Sequence, residues 1–213
     1  MLRIIFSAIA LALPLLASPA RAAIIDTFTD SAAFLLQVPV PAVDQITIGP
    51  SGPGPIINLT GAATSVTAGP VTASATFGGV FGNSTMLSTE FESDTLVLTF
   101  IQSLRSIGLS GLITDEFFSA VGGELLVELV GSGSSPLAVG TGDPAFIGLR
   151  SDVGFSVVRI SVASFNQNAT STPFASLTAR ILPDVAPPNN IPAPGFTALL
   201  LPAAFLAWRR RRT

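Results

Sequence analysis

Val71-Thr72-Ala73-Ser74-Ala75-Thr76-Phe77 alternates apolar and hydroxylated side chains in steps of two, then breaks at Gly78-Gly79. A period of two belongs to a strand with one face on a core and the other toward water, because successive side chains leave an extended backbone on opposite sides. This places Val71, Ala73, Ala75 and Phe77 inward and Thr72, Ser74 and Thr76 outward. The pattern recurs along the chain in Leu96, Leu98 and Phe100, in Ile107, Leu109 and Ile113, in Leu125, Val127 and Leu129, and in Val158, Ile160 and Val162. A last strand carries Leu177, Ala179 and Ile181 inward, with Ser176, Thr178 and Arg180 outward.

Between these runs lie turn clusters at Gly49 to Pro55, Gly61, Gly78-Gly79, Gly122-Gly123, Gly131 to Pro136 and Gly140 to Pro144. Short strands separated in this way predict an all-β fold. The expected form is an antiparallel β-sandwich of roughly eight to eleven strands in jelly-roll style, with a barrel as the alternative. One short helix is expected near the start of the domain. Ile24 to Thr29 reads as a strand, Asp30 or Ser31 can cap a following turn, Ala32 to Leu36 suit a helix, and Val38-Pro39-Val40-Pro41 ends it.

Both ends of the chain differ from this body. Arg3, the apolar run Ile4 to Leu16 and the small residues Ala20 and Ala22 read as a secretory signal peptide over residues 1–22, cut by signal peptidase after Ala22. At the other end, Pro183 to Pro192 is rich in proline and reads as an extended spacer. The β ectodomain is accordingly placed at residues 23–183, the linker at 184–191 and the tail at 192–213. In the tail, the apolar stretch from Ile191 to Trp208 would be about 27 Å long as a helix, a marginal span of a hydrocarbon core of about 30 Å. Trp208 and Arg209 to Arg212 then sit as an interfacial indole and a cytoplasmic basic cluster, which leaves the β domain outside the cytoplasm.

Residues 23–191 contain all 13 acidic residues and four arginines, a net charge of −9 hidden by the whole-chain value of −3. Such a body has no electrostatic attraction for phosphates, so nucleic acid is excluded as a partner. The chain has no Cys, His, Lys or Tyr. Disulfide stapling is therefore ruled out, together with the usual zinc, copper and iron sites and the Ser-His-Asp, Cys-His and Ser-Lys forms of catalysis. Carboxylate chemistry and oxygen-only metal binding survive. Glu90, Glu92 and Asp94 alternate, so on an extended chain their carboxylates line one face. They are weak Ca²⁺ candidates, with Asp115, Glu116 and Asp143 as further acidic loop positions. The competing reading is a solvated acidic face. No catalytic residue and no other cofactor is expected: the only Trp lies in the tail, so the body lacks the usual sugar-stacking aromatics, although carbohydrate binding through Phe and polar loops stays open. Asn58, Asn83 and Asn168 each begin an Asn-X-Thr acceptor pattern.

The order Pro192-Ala193-Pro194-Gly195, membrane-length apolar run, Trp208 and Arg209-Arg210-Arg211-Arg212, on a chain with a signal peptide, resembles the PEP-CTERM sorting signal of Gram-negative bacteria. The family motif is Pro-Glu-Pro, and Ala193 stands here at the Glu position. The resemblance covers the tail from Pro192 to Thr213 and implies recognition by an exosortase, a membrane transpeptidase-like protease. It also implies an inner-membrane-anchored precursor with a periplasmic ectodomain, then delivery to the cell surface or extracellular matrix, with a structural or adhesive role in exopolysaccharide or biofilm. A fainter likeness to the recurring β-sandwich ectodomain of that family runs through Asp26 to Leu35, Arg105 to Leu109, Phe146 to Leu149, Ser151-Asp152 and Phe155 to Val162; no activity attaches to it. The alternative expectation is a carbohydrate- or Ca²⁺-binding module retained as a type I membrane-anchored protein.

Overall fold

A computed structural model describes residues 25–141, 143–165 and 172–185. The elements are β1 (Ile25–Phe28), α1 (Ser31–Gln37), a 3-10 turn (Ala42–Asp44), β2 (Ile46–Ile48), β3 (Ile56–Ile57), β4 (Thr60–Ala63), β5 (Ser65–Ala68), β6 (Val71–Ala75), β7 (Val80–Asn83), β8 (Met86–Thr89), β9 (Leu96–Thr114), β10 (Ala120–Val121), β11 (Gly123–Leu129), β12 (Gly133–Val139), β13 (Ala145–Phe165) and β14 (Phe174–Val185). The all-β expectation holds, with a single short α-helix among the described residues. The strands there number fourteen rather than eight to eleven, because several very short strands carry too few side chains to show a period.

Two strands are much longer than their sequence pattern indicates. β9 fuses the expected 96–100 and 107–113 strands, and β13 runs 21 residues. Neither can stay straight in a domain of this size at about 3.3 Å per residue, so each bends and serves two layers. In one layer β5, β6, the first part of β9, the second part of β13, β11 and β12 are neighbours. In the other, β1, the first part of β13, the second part of β9 and β14 are neighbours, and β14 continues to β8, β7 and β4 on one stretch and to β2 and β3 on another. The corner lies where the β13 to β9 register shifts between Arg150 and Phe155, which is how bulges let a strand change sheets. The arrangement is sandwich-like: a Cβ at Gly111 on β9 would meet Leu125 of β11 and Leu137 of β12 from the facing layer. Leu96, Leu98, Ile107, Leu109, Ile113, Leu125 and Leu129 are buried in the single large core that results.

The helix forms as its capping chemistry dictates. Asp30 Oδ1 accepts from the Ala33 amide at 2.8 Å, and the Val38 amide closes the last turn on the Phe34 carbonyl before Pro39. Its one buried side chain, Phe34, is laid on two facing glycines of the second layer, Gly108 of β9 and Gly148 of β13. A Cβ at Gly148 would lie 2.4 Å from the Phe34 ring, so the close approach of helix to sheet depends on that glycine. Phe28 packs edge-on and Phe146 tilted against the same ring, at 5.5 and 5.8 Å between centroids. β9 between Ser106 and Ile113 is thus covered on both faces, and its period-two signal is blurred there.

Three expected side-chain directions change. β6 ends at Ala75, and Phe77 is 89% exposed on the following turn instead of facing the core. In β14, Ala179 adopts φ +58° and is exposed. It forms a bulge at which β14 exchanges its neighbour β8 for β2. Ser176, expected outside, is buried. β14 also extends past the expected domain end at residue 183: Pro183, Asp184 and Val185 pair with β9. Proline is tolerated there because β2 stops at a partner of Ile181, leaving β14 an edge beyond it.

Ser176 carries a chain of hydroxyls across three strands. Ser88 Oγ donates to the Ala175 carbonyl at 3.3 Å, Ser176 Oγ donates to Ser88 at 2.9 Å, and Thr114 Oγ1 lies 2.9 Å from Ser176. Since each hydroxyl has one proton, Thr114 must donate to Ser176. All three residues are buried. Ser176→Ala removes both the acceptor of Thr114 and the donor to Ser88, and is expected to lower stability by about 1–2 kcal/mol. Ser88→Ala leaves the Ser176 proton without its acceptor and the Ala175 carbonyl without its side-chain donor, and is expected to cost a similar amount, with urea denaturation as the measurement.

Candidate functional site

The residues on which the sorting reading rests, Ala20, Ala22, Pro192, Ala193, Pro194, Gly195, Trp208 and Arg209 to Arg212, lie outside the described residues, as does the expected C-terminal transmembrane helix. Among the described residues, no helix is long and apolar enough to cross a membrane. Asn168 is likewise outside; Asn83 Oδ1 accepts from the amides of Thr85 and Met86 and so shapes the β7–β8 turn.

Of the three carboxylates of the Ca²⁺ expectation, two are engaged with the backbone of one turn and the third is exposed. Asp94 is 3% exposed and turned into the backbone. Its Oδ1 accepts from the amides of Thr95 (2.7 Å), Thr76 (3.2 Å) and Phe77 (3.3 Å), while Oδ2 accepts from Phe77 (3.2 Å) and Gly78 (3.0 Å). Glu90 closes the same turn, its Oε2 accepting from the Gly79 amide at 3.1 Å. Glu92 is exposed. Asp94 and Glu90 thus hold the 76–79 turn, and no group of three or more Asp and Glu residues able to hold a metal occurs among the described residues. Asp115 is also used locally, its Oδ1 accepting from the Phe117 and Ser119 amides.

Three surface clefts stand out on this scaffold. A mainly apolar one of about 370 Å³ lies beside the end of β14, between Val43, Pro70, Ile101 and Val185. A smaller one of about 240 Å³ is walled by Phe81 and Phe118, stacked at 5.2 Å, with Glu90, Asp115 and Glu116 at its edge. The third, about 500 Å³, is polar and is built by strand register. Asp26 of β1 stands opposite Arg150 of β13, Arg150 opposite Ser106 of β9, and Ser106 opposite Asp184 of β14. Directly opposed residues share a sheet face, so these four form one row across four strands, about 14 Å from end to end at the usual strand spacing.

Two contacts tie the row together: Arg150 Nη2 lies 3.3 Å from Asp26 Oδ2, and Ser106 Oγ donates to Asp184 Oδ2 at 3.3 Å. Ser106 is 1% exposed and forms the floor. Gln37 and Val38, at the end of α1, line the same cleft together with Arg105, Ser151 and Asp152. The helix reaches this place because Phe34 is seated on glycines of the same two strands, Gly148 and Gly108. No family model, curated protein or solved structure matches the chain. The chemistry of the site therefore stands on its own residues.

Local pattern marks none of these positions as a site. Asp26, Arg105, the pair Arg150 and Asp152, and Asp184 come from four well-separated parts of the sequence, and only the antiparallel register brings them together.

Proposed function

We propose that this chain is an exported protein of a Gram-negative bacterium, sorted and processed through a PEP-CTERM-like C-terminal signal by an exosortase-type protease. In this reading it reaches the cell surface or extracellular matrix and has a structural or adhesive role in exopolysaccharide, without catalysis of its own. A jelly-roll-style sandwich forms the delivered body, and a transmembrane helix anchors the precursor in the inner membrane. The observation that carries the reading is the sequence order Pro192-Ala193-Pro194, apolar run to Trp208 and Arg209 to Arg212 behind an N-terminal segment of signal-peptide character. It is supported by the end of the last described strand, β14, at Val185, shortly before Pro192 in sequence. The lack of His, Lys, Cys and Tyr in the chain supports the non-catalytic role.

Intact mass of the protein recovered separately from membrane and surface fractions tests this. The expected result is a surface form shortened at both ends, its C-terminus within or near Pro192 to Gly195, beside a membrane precursor that retains Arg212. Replacing Arg209 to Arg212 by Gln is expected to accumulate unprocessed precursor. A tail present through Arg212 in every fraction would make the segment a plain type I anchor.

A further inference from the structure

We infer that the polar row of Asp26, Arg150, Ser106 and Asp184 is a binding groove for a neutral, hydroxyl-rich ligand, a short stretch of uncharged saccharide. The row sets two donors between two acceptors: carboxylate, guanidinium, hydroxyl, carboxylate, with the Ser106 proton directed to Asp184. Its rim repeats the mixture with Arg105 and Asp152. Three carboxylates therefore face the cleft with two guanidinium groups. A cationic ligand would pair with the first set and be repelled by the second. An anion would meet the reverse problem, inside a body of net charge −9. A hydroxyl group both donates and accepts, so neighbouring hydroxyls on one ligand can donate to carboxylates and accept from guanidinium groups together.

Two groups are poised for this. The Arg105 side chain makes no hydrogen bond or ion pair among the described residues, in a body where carboxylates outnumber arginines 13 to four. Its five donors face solvent at the rim. Ser151 is 3% exposed and its Oγ accepts from the Val153 amide at 3.1 Å, which fixes the oxygen and leaves the proton to donate. The volume of about 500 Å³ falls within the usual range for small-molecule clefts. No aromatic ring among the described residues lines the groove, so affinity rests on hydrogen bonds and is expected to be modest, with several sugar units needed to fill the row.

The test is titration calorimetry of the full-length chain with three probes of similar length: maltotriose, trigalacturonate and trilysine. Maltotriose is expected to bind most tightly, and Arg105→Gln is expected to weaken it roughly tenfold without moving the thermal midpoint. Phe118→Ala, in the aromatic cleft, is expected to leave binding unchanged. Tighter binding of either charged probe overturns the inference, as does no heat with maltotriose at millimolar concentration. Binding that survives Arg105→Gln but is lost in Phe118→Ala also overturns it by moving the site to the aromatic cleft. The inference is independent of the sorting segment, since processing of the tail leaves all four row residues in place.

Discussion

Phe34→Ala is expected to destabilise the folded domain by about 3–5 kcal/mol, the usual cost of emptying a fully buried phenylalanine site. For a domain of this size that lowers the thermal midpoint by roughly 10 °C. The ring is completely buried, touches Phe28 and Phe146, and is the one buried anchor by which α1 holds the sheet. Gly148→Ala attacks the same contact from the other side. Its new methyl would stand 2.4 Å from the ring, so it is expected to cost about 1–3 kcal/mol by overpacking. The two effects are coupled through one space. In the Phe34→Ala background the added methyl has room, and the double variant is expected to be more stable than the sum of the single changes predicts. Additive losses in a denaturant-based cycle would show that the helix is not seated on Gly148. Because Gln37 and Val38 wall the polar groove, Phe34→Ala should also weaken any ligand held there, whereas Arg105→Gln acts on binding alone.

The second large effect is expected at Asp94. Asp94→Ala leaves the amides of Thr76, Phe77, Gly78 and Thr95 without their carboxylate and is expected to cost about 3 kcal/mol. Asn at this position keeps one acceptor oxygen but turns an NH₂ group toward amide donors, so Asp94→Asn is expected to lose about half as much. Hydrogen exchange at Phe77 and Gly78 distinguishes this from a general loss of stability. The two amides should lose protection in Asp94→Ala under conditions where core amides of β9 remain protected, whereas the Thr76 amide keeps its bond to the Thr95 carbonyl. Unchanged exchange would mean that the turn is held by the Glu90 contact to Gly79 instead.

The case of Asp94 also shows what local pattern can and cannot carry. Its alternation with Glu90 and Glu92 puts three carboxylates on one face of an extended chain, yet the chain there is not extended: Ser93 has φ +56°. The turn after β6, the strand that pairs with β9 where Asp94 leads into it, supplies the donors that draw Asp94 inward, and no spacing of acids reveals that. Phe77 fails for the related reason that its strand stops at Ala75, short of the end of its alternation. Ser176 reads as a solvent-facing residue, but β8 and β9 bring Ser88 and Thr114 against it, and a satisfied hydroxyl can be buried at little cost.

What the sequence determined by itself is the local level. Period-two alternation with Gly and Pro breaks required strands, Asp30 with Ala32 to Leu36 and Pro39 required one capped helix, and the absence of Cys, His, Lys and Tyr excluded most active-site chemistry. Each of these depends on near neighbours in the chain or on composition alone. The tertiary structure decided the rest. It made single bent strands of the two halves of β9 and of β13, set Phe34 on a pair of glycines from those two distant strands, and aligned Asp26, Arg150, Ser106 and Asp184 in one row. Register is a relation between distant segments, fixed by which faces bury against the common core, and a one-residue slip would turn that row to the opposite face.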